Sequence, residues 1–94
     1  MANERFTSVW DALVDSPEEA ENLRLRSQLI WALTRTIKAW DIPQKDAAQQ
    51  LHITQPRLSE LLNGKIEKFS LDALVNMLAN ANLEIDIKVK HKAA

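Results

Sequence analysis

The sequence predicts a mainly α-helical domain, a bundle of four to five helices with one C-terminal β-strand. Three observations carry this expectation. Turn-formers are scarce, with one glycine and three prolines among 94 residues, which disfavours a fold of many short strands. Apolar residues recur at helical spacing through the middle of the chain, and hydrophobic residues make up 46%, an ordinary share for a globular domain. In the last dozen residues or so the spacing changes to two. A chain of this length builds one domain with a modest core.

Composition removes several classes of function. With no cysteine there is neither a disulfide framework nor a cysteine zinc site. Two histidines, His52 and His91, stand in a predicted turn and near the end, and no nucleophile–base pair, metal-ligand spacing or phosphate-binding glycine loop accompanies them. No enzyme activity, cofactor or metal is therefore expected. No apolar run has signal-peptide or membrane-spanning length, so the expected location is the bacterial cytoplasm, at the nucleoid.

The net charge of −1 hides a split. Residues 1–22 carry one base (Arg5) against six acids (Glu4, Asp11, Asp15, Glu18, Glu19, Glu21). Residues 23–68 carry eight bases (Arg24, Arg26, Arg35, Lys38, Lys45, Arg57, Lys65, Lys68) against four acids, and residues 69–94 carry three of each. An acidic head and a basic middle are compatible with an anionic partner for the middle, which the net charge alone would disfavour. The competing explanation is fluctuation in short windows.

The elements follow in order. Residues 1–15 have no long period and form an arm, on which Phe6, Val9, Trp10 and Leu13 fit one short helical turn with an apolar side. Ser16, Pro17 and Glu19 are the signature of a capping box with proline at the first helical position. The helix they open should run to about Trp40, roughly 36 Å. Leu29, Ile30, Leu33, Ile37 and Trp40 form its buried stripe, and Trp31 lies off the stripe, against the arm or a second subunit. Pro43 stops this helix by disfavouring helical geometry at Ile42.

Two short helices come next, Gln44–Leu51 with Ala47, Ala48 and Leu51 inward, and residues 55–63 with Leu58, Leu61 and Leu62 inward. The turn between them is His52-Ile53-Thr54, with Thr54 capping the second helix and Pro56 tolerated in its first turn. Gly64 ends it in left-handed geometry. A loop over residues 65–69 leads to a last helix capped by Ser70, with Phe69 stapled onto Leu74 and an inner face of Leu71, Leu74, Val75 and Leu78 that ends at residues 80–82. In Glu84-Ile85-Asp86-Ile87-Lys88-Val89-Lys90 apolar and charged residues alternate, as in a half-buried strand. A lone strand leaves its backbone unpaired. Its partner is either the same strand of a second subunit, through Ile85, Ile87 and Val89 in a two-fold dimer, or the chain's own arm. The expected organisation is thus an arm (1–15), a helical domain (16–83), a dimerisation strand (84–90) and a tail (91–94).

Two short helices crossing steeply around a tight turn, with Ala47 and Ala48 at the approach and Ile53 and Leu58 in the angle, can lay one helix across a phosphate backbone and the other in a major groove. Residues 43–65 resemble the helix-turn-helix of the lambdoid-repressor (XRE) family. Gln44, Ala48, Ile53, Gln55, Leu58, Leu61 and Asn63-Gly64-Lys65 carry the resemblance. Across most of its length the chain is also similar to small XRE regulators that act as HigA-like antitoxins, through Ser8-Val9-Trp10-Asp11, Phe69-Ser70-Leu71 and the terminal strand. The sequence departs from the family at Pro43, which replaces a capping Thr or Ser, and at His52, where glycine is common.

The resemblance implies a lambda-repressor-like bundle that binds double-stranded DNA at a palindromic operator as a homodimer. Gln44 and Lys45 would meet phosphate at the start of the first short helix. Thr54 would cap the second helix, with a phosphate contact as a further role. Gln55 would read a base edge, since its amide pairs with adenine N6 and N7. Arg57 and Ser59 would touch a base or a phosphate. Glu60 would accept from cytosine N4 or exclude wrong sites. Asn63, Lys65 and Lys68 would hold the backbone beyond the helix. For an antitoxin, the acidic head, with Phe6, Val9, Trp10 and Leu13, would cover a basic RelE/HigB-like ribonuclease toxin. A stand-alone regulator with no toxin partner is the alternative.

Overall fold

The structure, a computed structural model, describes residues 16–92. It contains four α-helices, α1 (Pro17–Trp40), α2 (Gln44–Leu51), α3 (Gln55–Leu62) and α4 (Leu71–Asn80), with a single 3₁₀ turn, Ile66–Lys68, between the last two. The arm, with Phe6, Val9, Trp10 and Leu13, lies outside the described residues.

Three of the four helices begin with the caps the sequence announces. The backbone N–H of Glu19 donates to Ser16 Oγ at 3.1 Å, that of Arg57 to Thr54 Oγ1 at 3.2 Å and that of Ala73 to Ser70 Oγ at 3.1 Å. Only α2 lacks a side-chain cap, its N-cap position being taken by Pro43. In α1, hydrogen bonds from Arg24 hold the Glu21 carboxyl below the ordinary carboxylate range.

Three helices close in the same way. At the end of α2, His52 N–H donates to Gln49 O and Ile53 N–H to Ala48 O. After α3, Gly64 pairs with Leu61 and Lys65 with Glu60, and after α4, Asn82 pairs with Ala79 and Leu83 with Leu78. Each is a Schellman closure, whose pivot residue must be left-handed. The pivots have φ of 61° at His52, 70° at Gly64 and 62° at Asn82. Asp41, φ 52°, ends α1 in the same region, so this helix stops two residues before Pro43 through its own left-handed cap.

The core is built where α1 crosses α4 and the α2–α3 pair. Ile30, Leu33 and Ile37 of α1 meet Ala47, Ala48 and Leu51 of α2, Leu58 and Leu61 of α3, Phe69, and Leu74, Met77, Leu78 and Ala81 around α4. Phe69, Leu33, Leu51, Leu58, Leu61 and Leu74 are its largest fully enclosed side chains. Leu29, Trp40, Ile53 and Leu62 pack on its edge and are only half-buried.

Two expectations are corrected. The inner face of α4 runs Leu74, Met77, Leu78 and Ala81, while Val75 is 43% exposed. Val75 and Met77 flank the Leu74–Leu78 stripe on opposite sides, and the contact with α1 buries Met77 and leaves Val75 out. Residues 84–90 form no β-strand among the described residues. They carry no regular secondary structure and are exposed, with Ile87 and Val89 at 78% and 90%, because a β-ladder requires a second strand that no described part of the chain supplies. This segment borders the first half of α1, where Ile87 and Val89 line a groove with Glu21, Arg24 and Leu25.

Candidate nucleic-acid interface

The site begins with the packed pair of short helices, α2 and α3. Small Ala47 and Ala48 are buried where α2 and α3 approach, and Ile53 packs at the turn between them. The Leu51 carbonyl at the end of α2 accepts a 3.0 Å hydrogen bond from Asn80 Nδ2 of α4. The other end of the unit is tied as well. Arg26 reaches from α1 and donates through Nη1 to the carbonyls of Ile66 (3.1 Å) and Phe69 (3.4 Å), while its Nε donates to Asn22 Oδ1. The guanidinium thereby satisfies carbonyls of the loop that follows α3.

On this frame α3 turns Leu58 and Leu61 into the core and leaves a polar edge outside. Gln55 and Asn63 are exposed, and Arg57, Ser59 and Glu60 are half-exposed. Asn63 Nδ2 donates to Ser59 Oγ at 3.4 Å, linking the last turns of the helix. Gln44 and Lys45 are exposed at the free N-terminus of α2, where unpaired backbone N–H groups favour an anion. Thr54 is exposed with its hydroxyl committed to the cap. Lys65 and Lys68 are exposed in the segment after α3.

Arg57 and Glu60 are the exception to an otherwise open edge. Arg57 Nη1 lies 3.7 Å from Glu60 Oε1, and its Cζ stands over the Phe69 ring, 4.2 Å from the centroid. The pairing accounts for a carboxylate on a face otherwise suited to phosphate, since Arg57 offsets its charge. Nothing in the local sequence indicates Phe69 as a neighbour of Arg57, because twelve residues and a 3₁₀ turn separate them. Arg26 and Asn80 are likewise invisible to helical periodicity, since their partners lie 29 to 43 residues away in the chain. The expected dimerisation residues Ile85, Ile87 and Val89 belong to the segment beside α1, apart from this edge.

Among the described residues no helix is long and apolar enough to cross a membrane, and no group of three or more His, Cys, Asp or Glu side chains is placed to hold a metal ion.

A capped two-helix unit with a leucine-backed helix and a polar outer edge defines the class of helix-turn-helix proteins. Comparison with known proteins agrees. A family described as a helix-turn-helix domain matches residues 12–90. A solved structure provisionally described as an XRE family transcriptional regulator superposes with a TM-score of 0.71 at 32% identity, covering 79% of this chain and 83% of the other. No curated protein matches. The chain belongs to the XRE-type helix-turn-helix family of transcriptional regulators, and double-stranded DNA is the ligand that this family implies.

Proposed function

We propose that this chain is a sequence-specific repressor that reads a near-palindromic operator as a two-fold dimer, with α3 in the major groove. The observation that carries the reading is the polar edge of exposed Gln55, half-exposed Ser59 and the exposed cap residue Asn63, along a helix whose opposite side is packed in the core. In this reading Gln55 contacts a base edge and Arg57 and Ser59 complete the readout. Gln44, Lys45, Thr54, Asn63, Lys65 and Lys68 hold phosphates, and Glu60 limits which sites are accepted. The two half-sites lie about one helical turn, ~34–36 Å, apart. The subunits join through Ile85, Ile87 and Val89, whose side chains are exposed and apolar in a segment that alternates like a strand.

The finer role is that of an antitoxin that represses its own operon and neutralises a basic RelE-superfamily ribonuclease. Support comes from the resemblance to HigA-like proteins and from the six acids in residues 1–22, with Phe6, Val9, Trp10 and Leu13 as the contact residues. The stand-alone regulator rests on the same helix-turn-helix and needs no partner. Co-expression with the product of the adjacent gene separates the two. An antitoxin rescues growth and co-purifies with a small basic protein, and it loses both on deletion of residues 1–15.

DNA reading is tested with a duplex enriched from a random pool and with a scrambled duplex. Gln55→Ala should weaken the enriched duplex by about 1–3 kcal/mol and leave the scrambled one unchanged. Lys65→Ala should weaken both and lower the salt slope by about one. Equal losses on both duplexes for the Gln55 variant would contradict base readout.

A further inference from the structure

We propose that Phe69 and Glu60 form a holder for Arg57, fixing its guanidinium at the edge of α3 so that it discriminates between DNA sequences and adds little to general DNA affinity. This rests on the reading of α3 as the recognition helix and assigns to Phe69 a role beyond the core.

Phe69 is 2% exposed, so its ring does not move freely. Its backbone is fixed from both sides, with its N–H on Ile66 O at 3.2 Å and its carbonyl within reach of Arg26. Arg57 rests over this ring at 4.2 Å, well inside the range of a cation–π contact. Stacking engages the flat face of a guanidinium and leaves its N–H donors in the plane for acceptors. Glu60, one turn further along, faces Nη1 as an ion-pair partner at 3.7 Å. A long side chain that would otherwise sample many rotamers is thus oriented before any DNA arrives.

Charge pairing has a second effect. General attraction to DNA comes from cations that displace counterions from phosphate. An arginine beside a carboxylate brings little net charge to that exchange, whereas Lys65 and Lys68 bring theirs in full. Arg57 then gains most on a duplex that presents acceptors where its donors already point, as guanine O6 and N7 do in the major groove. Glu60 is a positioning residue in this scheme, and Phe69 is the platform.

The test measures binding of the full chain to the enriched and scrambled duplexes over a range of salt. Arg57→Lys keeps the charge and removes the planar fork. It should lower affinity for the enriched duplex about tenfold and leave the scrambled duplex and its salt slope unchanged. Glu60→Gln frees Arg57 and should raise affinity for the scrambled duplex severalfold, steepening its salt slope by about one, without the same gain on the enriched duplex. Phe69→Leu should behave like Arg57→Lys, with folding verified by thermal melting. If it does not fold, the two surface variants decide the matter. An Arg57→Lys protein that binds the enriched duplex like the parent, or a Glu60→Gln protein that gains equally on both, overturns the holder. If Gln55→Ala also leaves the enriched duplex unaffected, the recognition-helix assignment fails with it. A loss for Gln55→Ala alone removes only the holder.

Discussion

At the scale of single residues, the fold depends on a few positions whose backbone geometry is unusual for an L-amino acid. His52 is the pivot of the α2 closure at φ 61°, in the turn that sets the angle between α2 and α3. A left-handed non-glycine residue costs about 1–2 kcal/mol, and glycine gives back roughly 0.5–1 kcal/mol of that through greater chain entropy in the unfolded state. His52→Gly should therefore stabilise the protein by up to about 1 kcal/mol in urea unfolding, with DNA affinity unchanged. Gly64 is the converse case. A Cβ at this position meets nothing within 4 Å, so Gly64→Ala carries only the dihedral strain at φ 70°, about 1 kcal/mol by the same measurement.

At the scale of elements, the informative contacts are those that tie one helix to the loop of another. Arg26 joins α1 to both ends of the 3₁₀ turn through the carbonyls of Ile66 and Phe69. This holds the segment carrying Lys65 and Lys68 and steadies the ring on which Arg57 rests. Arg26→Met preserves most of the side-chain volume, leaves the Phe69 carbonyl without the Arg26 donor and leaves the Ile66 carbonyl with only the Phe69 N–H. The expected loss is about 1.5–3 kcal/mol in chemical denaturation, the range for a hydrogen bond to a charged group. Heightened amide exchange confined to residues 65–70 would show that the damage is local. The caps tell the opposite story about legibility. Ser16, Thr54 and Ser70 were readable because a cap is a contact between residues three apart, which the sequence itself specifies.

At the scale of the whole molecule, the exposed surface is of two kinds. The α3 edge with Lys65 and Lys68 is polar and basic. Exposed apolar side chains are Trp31 on α1, which lines a groove with Leu62 and Asn63, and Ile87 and Val89 near the C-terminus. Arg35 stacks on Trp31 at 4.6 Å to the ring centroid and partly covers it. Ile87 and Val89 are 78% and 90% exposed, and the proposed strand pairing would cover them. The parent chain should sediment at twice its 10.7 kDa subunit mass, and Ile87→Lys at the subunit mass, because a charge replaces an apolar contact at the pairing face. A parent chain that sediments as a monomer at micromolar concentration would remove strand pairing as the means of dimerisation.

What the sequence by itself determined is everything that local chemistry specifies. The bounds of α1 and α2, three N-terminal caps, the left-handed positions at His52 and Gly64 and the helix-turn-helix all follow from residues within a few positions of one another. Tertiary structure alone decided which edge of the α4 apolar stripe turns inward, since Met77 and Val75 flank Leu74 and Leu78 on opposite sides and only the helix packed opposite distinguishes them. It also decided that residues 84–90, alternating like a strand, form no strand with any other described residue of the chain. A helix satisfies its backbone internally, whereas a strand depends on a neighbour that its own residues do not encode. For the same reason the meeting of Arg57 with Phe69, and of Arg26 with the loop after α3, emerged only when the chain was folded.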